Sequence, residues 1–349
     1  MTRTRLALLA LVVGVAPLRA DEPPTDPLRI GVHKLRADGI VDGDTLRVDG
    51  LKRSLRVLHI DTEEVPHSKT PQDDVAVMRS DFAAYAKTMQ GSRLRPLKYP
   101  TPAGEAASAY AKKILPRGAT LLLERDSEGA PTKGSYGRTI CHVWVVPKDG
   151  ESHAWLFAER MIRAGHSPYY MKYGRSSRFD DRFRDAQAEA QKHKRGIWSD
   201  EGGHYPDYEQ RLAWWERRAT ALAWYAEQQR KGKAPIQAGS KNAIRKLSRR
   251  VGNGKRVAVF GLIDDKDAKW ITRHGRGATL RIGGERYIEI EIVGTKLARE
   301  LDLDRLCGEM VLVEGLLDRE GNRLNEKLRY MRIPVTDAKQ IRRIPAPGR

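Results

Sequence analysis

The sequence is poor in cysteine and in long apolar segments, and each shortage excludes a class of protein. Its 349 residues include two cysteines, Cys141 and Cys307, which have no zinc-type spacing. A disulfide-rich scaffold is therefore excluded, and we expect two buried free thiols. Beyond the first twenty residues, no apolar run approaches the ~20 residues that a membrane-spanning helix needs. A protein with several membrane spans is excluded as well.

Acidic residues are also in short supply. The 45 Asp and Glu residues face 64 Lys and Arg residues, which leaves a net charge of +19 at pH 7. This excess favours a polyanionic partner, with nucleic acid ahead of anionic lipid or polysaccharide. Hydrophobic residues make up 40% and charged residues 31%, which is ordinary for globular protein. The length predicts two domains.

The N-terminus has the pattern of an export signal. A basic MTRTR is followed by the apolar run LALLALVVGV and a small residue, Ala20. Residues 1–20 are therefore predicted to be a signal peptide, and the mature protein to be secreted or periplasmic. An uncleaved membrane anchor is the alternative.

Residues 29–200 alternate between strand and helix patterns. Three strands are predicted in residues 29–60, around two Asp-Gly turns. A proline-rich excursion with one helix covers residues 65–101. A helix that begins at Pro102 comes next, followed by two strands and two further helices. This order predicts an α+β domain, a small β-barrel with helices.

The second half divides into a connector and another β module. Residues 205–254 are a basic helical connector, either solvated or a contact strip for nucleic acid. Residues 255–335 show five strands with a short helix between the third and fourth. That is the order of an OB-fold, a small barrel that often binds oligonucleotides. Residues 336–349 are predicted to be a tail.

Several short motifs, each weak alone, occur in a fixed order along the first domain. They are DGDT at 42–45, LRVLHIDTEE at 55–64, YGR at 136–138 and RGIW at 195–198. In this combination the chain resembles the staphylococcal nuclease (thermonuclease-like) family. The resemblance extends from about residue 38 to residue 200, interrupted by the excursion, and implies an OB-like barrel.

The resemblance implies a role for individual residues. Calcium would be bound by Asp44, Asp61 and the main-chain oxygen of Thr62, Arg56 and Arg138 would bind phosphate, and Glu64 would activate water. The family's tyrosines that border the nucleotide have no clean counterpart; Tyr136, Tyr170 and Tyr173 are candidates for that role or for packing in the barrel. Family members cleave DNA and RNA with little sequence preference and leave 3′-phosphate ends. The chemistry is consistent, because Ca²⁺ prefers oxygen ligands and arginine presents a rigid fork of donors to phosphate. We assume a monomer.

Two departures from the family pattern lie close to these motifs. Glu63 occupies the position of a proline, which would loosen the loop and add a carboxylate beside the metal. Ser135 stands where lysine is common. His59 and His67 are assigned to packing or surface roles.

Two other functional classes stay open. The first is a decayed nuclease that binds nucleic acid through its second barrel. The second is a basic structural protein of the cell envelope, which would bind anionic polymers without a metal and without cleavage.

Overall fold

The computed structural model describes residues 27–93, 95–130, 132–134, 137–148, 153–248, 250, 254–263, 277–283, 288–317 and 331–344. The predicted signal peptide and Tyr136 lie outside these ranges. Of the helices described, none is long and apolar enough to cross a membrane.

The first domain is built on a closed barrel of five strands, as predicted. They are β1 (Arg29–Ile40), β2 (Thr45–Val48), β3 (Leu55–Val57), β4 (Thr120–Glu124) and β5 (Thr139–Val146). β1, β2 and β3 form an antiparallel meander, and β4 pairs antiparallel with both β1 and β5. β3 pairs in parallel with β5, which closes the barrel. Apolar side chains alternate into its interior, among them the fully buried Leu46, Leu55 and Leu121.

Helices cover the barrel at positions close to those predicted. α3 (Pro102–Ile114) begins with proline in its first turn, and the Thr101 side chain accepts a hydrogen bond from the Gly104 N–H. α4 (Phe157–Arg163) is shorter than predicted, because Trp155–Leu156 instead forms a strand, β6, against β5. α5 (Asp180–Lys192) buries its apolar face in the same core.

The excursion at 65–101 is a packed subdomain with two helices where one was predicted, α1 (Gln72–Ser80) and α2 (Phe82–Gln90). The helix pattern breaks at Asp81, whose side chain accepts a hydrogen bond from the Ala84 N–H. Met78 and Tyr85 are buried in one cluster with Ile197 and Tyr205. The excursion is thereby held against the end of the nuclease-like domain.

The connector contains one long helix, α6 (Tyr208–Arg230), that packs on both domains. Trp215 and Ala219 belong to the core of the first barrel, whereas Ala221 and Tyr225 pack with Phe260 of the second. This half of the connector is therefore structural, and a purely solvated connector is wrong for it. β7 (Ile236–Gln237) and α7 (Lys241–Ser248) follow.

The second module has the predicted OB-like order. Its elements are β8 (Arg256–Leu262), β9 (Gly277–Ile282), β10 (Ile288–Val293), α8 (Thr295–Glu300), α9 (Leu303–Leu306), β11 (Met310–Leu316), β12 (Arg332–Val335) and β13 (Ile341–Arg343). β10 pairs in parallel with β12, and β8 pairs antiparallel with β11. β13 pairs with β11, so the module continues past residue 335, where the sequence suggested a tail. Cys141 and Cys307 are buried thiols that are not joined in a disulfide, as expected.

Candidate active site

Two aspartates meet on one arginine at the mouth of the first barrel. Asp44 lies just before β2, and Arg56 lies on β3, opposite Thr45 in the antiparallel register. The Arg56 Nη1 atom is 2.5 Å from Asp44 Oδ1, and Nη2 pairs with Asp61 Oδ1. The fork of one guanidinium therefore bridges both carboxylates, as the rigid donor geometry of arginine allows.

The carboxylate of Asp44 is held by main-chain and side-chain donors. The Thr45 hydroxyl donates to Oδ1 at 2.9 Å, and the Thr62 N–H donates to Oδ2 at 2.9 Å. Asp44 is almost fully buried. Thr62 thus contacts the site through its amide and links the two acidic segments.

Asp61 is fixed from the opposite side of the barrel. Its N–H donates to the Ser167 hydroxyl at 2.8 Å, and Lys98 Nζ is 2.6 Å from its Oδ1. Burial alone would raise the pKa of Asp61, but the charges of Lys98 and Arg56 hold the pKa of that carboxyl below its usual value. Asp61 is therefore an ionised carboxylate within the protein.

A third carboxylate completes the acidic group. Asp42 Oδ1 accepts a hydrogen bond from the Asp44 N–H at 3.0 Å. Burial and the charge of Asp44 raise the pKa of Asp42 to about 7. Sequence reasoning assigned Asp42 only to the Asp-Gly turn. Its position two residues before Asp44 in DGDT was the signal that could have identified it.

Glu64 and Lys98 form the exposed edge of this site. The Glu64 side chain is 42% exposed, and its Oε1 is 3.5 Å from Lys98 Nζ, the same ammonium that contacts Asp61. Burial lowers the pKa of Lys98, but the charges of Asp61 and the other nearby carboxylates together raise it by more, so the pKa of Lys98 lies above its usual value. Lys98 comes from the end of the excursion, and no sequence motif marked it.

Glu63 is bound in the interior of the protein, so the expectation that it adds a carboxylate at the predicted metal site is wrong. It is 2% exposed and accepts hydrogen bonds from the Tyr205 N–H at 2.8 Å and the Tyr208 hydroxyl at 2.7 Å. Burial raises its pKa. The side chain of Glu63 therefore faces the interior, an orientation that a sequence pattern cannot show.

The loop is also tied down without the family's proline. The Thr101 N–H donates to the Glu64 carbonyl at 3.1 Å. Gly104 lies so close that a Cβ there would be 2.0 Å from the Glu64 carbonyl oxygen. The loosening expected from the loss of proline is therefore countered by contacts from α3 and α6.

The remaining predicted residues, one arginine and three tyrosines, differ in how close the structure brings them to this site. Thr139 pairs with Leu55, so Arg138 enters β5 beside the start of β3, and its guanidinium forms no ion pair with any residue in the described ranges. Tyr170 is buried, packs edge-on against Trp215 and has Lys98 over its ring. Tyr173 is 48% exposed. Tyr136 cannot be placed, since it lies outside the described residues.

A separate polar cluster lies between the barrel and α5, where the His59 and His142 rings pack against Phe183. The ligand-type atoms of His59, Asp126 and His142 all lie within 4.8 Å of one another, a donor set that a transition metal could use. Asp126 accepts hydrogen bonds from His142 at 2.8 Å and from Ser176 and Ser177. These bonds stabilise the cluster as a buried network, and His59 packs in it as predicted.

The closed five-stranded barrel of the first domain is consistent with comparisons to known proteins. Residues 54–200 match the family described as staphylococcal nuclease homologue. This part of the chain is a staphylococcal-nuclease-like domain. A thermonuclease of Staphylococcus hyicus is 27% identical over 162 residues, which cover 46% of this chain and 72% of that protein. The endonuclease YhcR of Bacillus subtilis (strain 168) is 26% identical over 184 residues, 52% of this chain and 12% of its own length.

The staphylococcal nuclease family consists of phosphodiester-cleaving hydrolases, and its thermonucleases depend on a metal ion. The staphylococcal nuclease domain of this chain is therefore that of a hydrolase acting on phosphodiester bonds. The match to YhcR spans about an eighth of that protein, so it bears on this domain alone.

Proposed function

We propose that this protein is an exported, calcium-dependent nuclease that hydrolyses DNA and RNA and leaves 3′-phosphate ends. The observation that carries the proposal is the convergence of Asp44 and Asp61 on one guanidinium, with Glu64 at the exposed edge. Burying two carboxylates beside a single arginine costs folding free energy, and such arrangements are common at catalytic sites. The N-terminal pattern supports export.

The donors fit a hard divalent cation. Asp44, Asp61 and the Thr62 carbonyl would hold calcium, with Asp42 close by, and all of these offer oxygen. Burial and the nearby charge of Asp44 raise the pKa of Asp42 to about 7, and a bound cation would relieve the repulsion between these carboxylates. Bound calcium would supply Lewis-acid stabilisation of charge on a phosphoryl oxygen.

The protein's own residues would do the rest. Glu64 is exposed enough to contact a water and to accept its proton, or to orient that water for attack on phosphorus. Arg56, held by Asp44 and Asp61, has further N–H donors for a phosphate oxygen. Arg138, whose guanidinium forms no ion pair with a described residue, would supply a second fork of donors for the same charge.

A plasmid-cleavage assay tests the proposal. Purified protein is incubated with plasmid in calcium, in magnesium and in EDTA, together with the variant Glu64→Gln. We expect cleavage in calcium alone, loss in EDTA and a greatly reduced rate for the variant. Comparable cleavage by the variant, or cleavage in EDTA, would contradict the mechanism. End-group analysis of the products checks for 3′-phosphate.

The competing function is a decayed nuclease that only binds nucleic acid. Glu63 was the sequence feature in its favour, and the structure removes that support by turning Glu63 into the interior. Binding without cleavage in calcium would favour this alternative.

A further inference from the structure

A cationic cleft lies between the connector and the second barrel. Its volume is about 920 Å³. One wall comes from the end of α6, with Trp224, and from α7; the floor comes from β8, β11 and β13. We call it the connector cleft. It belongs to neither element alone, because the connector must pack on the barrel for the cleft to exist.

Nearly all of the charged residues that line the connector cleft are cations. Seven lysine or arginine side chains line it, against one acid, Glu314. Lys233, Arg245, Lys246 and Arg250 come from the connector, and the others come from the barrel, including Arg342 on β13. A concave surface with charges of one sign focuses the field and attracts a polymer of opposite charge.

Three of these cations have no acidic partner in the part of the chain that the structure describes. No carboxylate in the described ranges forms an ion pair with Lys233, Lys246 or Arg342, and all three side chains are exposed. The contrast is with Arg230 and Lys231 one turn away, which both pair with Glu227. Exposed like charges repel one another, so a bound polyanion would remove a cost as well as add contacts.

The shape favours a nucleic-acid strand among polyanions. A planar lipid surface cannot enter a concave site, whereas a flexible strand can follow one. Trp224 is half-buried against Phe260 and lines the cleft, where an indole can stack on a base. A volume of this size takes a few nucleotides of one strand.

We propose that the connector cleft binds the phosphodiester backbone of single-stranded nucleic acid, so that the second barrel holds the polymer while the first one cuts it. The choice of nucleic acid over other polyanions rests on the proposed function. Binding itself needs no metal, because the cleft residues are cations. The inference can therefore be tested separately from cleavage.

The test measures binding in EDTA. A fluorescently labelled single strand of mixed sequence is titrated with the full chain at several salt concentrations. The variant carries Lys233→Ala, Lys246→Ala and Arg342→Ala. The matched control carries Lys112→Ala, Lys113→Ala and Arg117→Ala, three exposed basic residues at the end of α3 and just after it. Both variants change the net charge equally.

We expect the cleft variant to bind on the order of ten- to a hundredfold more weakly at moderate salt. Its slope of log K against log salt should fall by about two, since each phosphate contact on a single strand contributes about 0.7. Equal binding by the cleft variant and wild type would overturn the proposal. So would an equal loss in the control, or weaker competition by unlabelled nucleic acid than by heparin.

A dinucleotide substrate separates this outcome from the proposed function. Its single phosphodiester cannot lie in the acidic site and in the cleft at the same time, so the cleft variant should cleave it in calcium at the wild-type rate. Loss of that cleavage in the cleft variant would contradict a role confined to holding the polymer. Failure of wild type to cleave it would count against the nuclease proposal alone.

Discussion

The two barrels share one strand order and differ in where they keep their charge. In each, the third strand pairs in parallel with the fifth, and the first pairs antiparallel with the fourth. The first barrel buries carboxylates such as Asp44 and Asp61, whereas the core cluster of the second is apolar in its described part. Burying a charge costs free energy, whereas an exposed charge costs little. One strand arrangement can therefore hold buried carboxylates suited to catalysis in the first module and exposed cations suited to attracting a polyanion in the second.

The barrels also meet through a small polar contact. Glu309 of the second barrel is buried and pairs with Arg95 of the excursion at 2.9 Å and with Arg217 of α6 at 3.0 Å. Trp214 donates its indole N–H to the Gly308 carbonyl at 2.9 Å. The excursion and α6, which looked like additions to the nuclease pattern, are thus the parts that join the two units.

The largest expected effect breaks the chemistry of the first barrel alone. Arg56→Lys should lower kcat for nucleic-acid cleavage by roughly 10²- to 10³-fold, because a single ammonium cannot bridge Asp44 and Asp61 and also reach phosphate. Strand binding in EDTA should be unchanged, since the connector cleft is intact. Arg47→Lys, on the exposed face of β2, is the control and should keep its activity. A near-normal rate for Arg56→Lys would contradict the site.

The second prediction concerns acid stability of the first barrel. Burial lowers the pKa of His142 from 6.5 to about 4, so the folded protein resists a proton that the unfolded chain accepts. The contribution of His142 to the free energy of unfolding should therefore be complete above pH 6.5. The free energy of unfolding should fall by roughly 3 kcal/mol as the pH drops toward 4.

Urea unfolding measured across this pH range checks the effect. His142→Gln keeps a donor for Asp126 but cannot be protonated, so its stability should vary less with pH than that of the wild type. His193→Gln, at an exposed position, should follow the wild-type curve. Parallel curves for wild type and His142→Gln would show that His142 does not control acid sensitivity.

The third prediction tests the tie between the catalytic loop and α6. Glu63→Ala leaves the Tyr205 N–H and the Tyr208 hydroxyl without their acceptor and should cost about 2 kcal/mol of unfolding free energy. Glu63→Gln keeps an acceptor. Because burial raises the pKa of Glu63, its ionisation costs stability as pH rises through that pKa, and the amide avoids the cost.

Thermal unfolding at neutral pH therefore separates the two variants. Glu63→Gln should be at least as stable as wild type, and Glu63→Ala clearly less so. A reversed order would mean that the ionised carboxylate is what holds α6.

The smallest expected effect concerns Lys98. Its ammonium, 2.6 Å from Asp61, repels a cation bound there, so Lys98→Met should lower the calcium concentration for half-saturation by up to about tenfold. Calorimetric titration without substrate measures this, with Lys69→Met in the exposed part of the excursion as the control. Unchanged affinity would mean that Lys98 moves away when calcium binds.

Much of the fold could be predicted because it depends on local pattern. The two Asp-Gly turns, the proline and glycine at the ends of α3 and the apolar alternation of the strands are properties of neighbouring residues. Asp44, Arg56 and Asp61 lie in short motifs on such elements, and the structure brings them together. Glu64 lies at their edge, and Arg138 enters the adjacent strand.

What the sequence could not reveal depends on residues that are far apart along the chain. Lys98 reaches Asp61 only because the excursion packs against Ile197 and Tyr205, and Glu63 turns inward only because α6 presents Tyr208. The connector cleft likewise exists only once α7 lies over the second barrel. The sequence alone therefore determined the elements, the family and the acidic motifs. Tertiary packing decided which charges neutralise one another, because Coulomb interaction depends on separation in space.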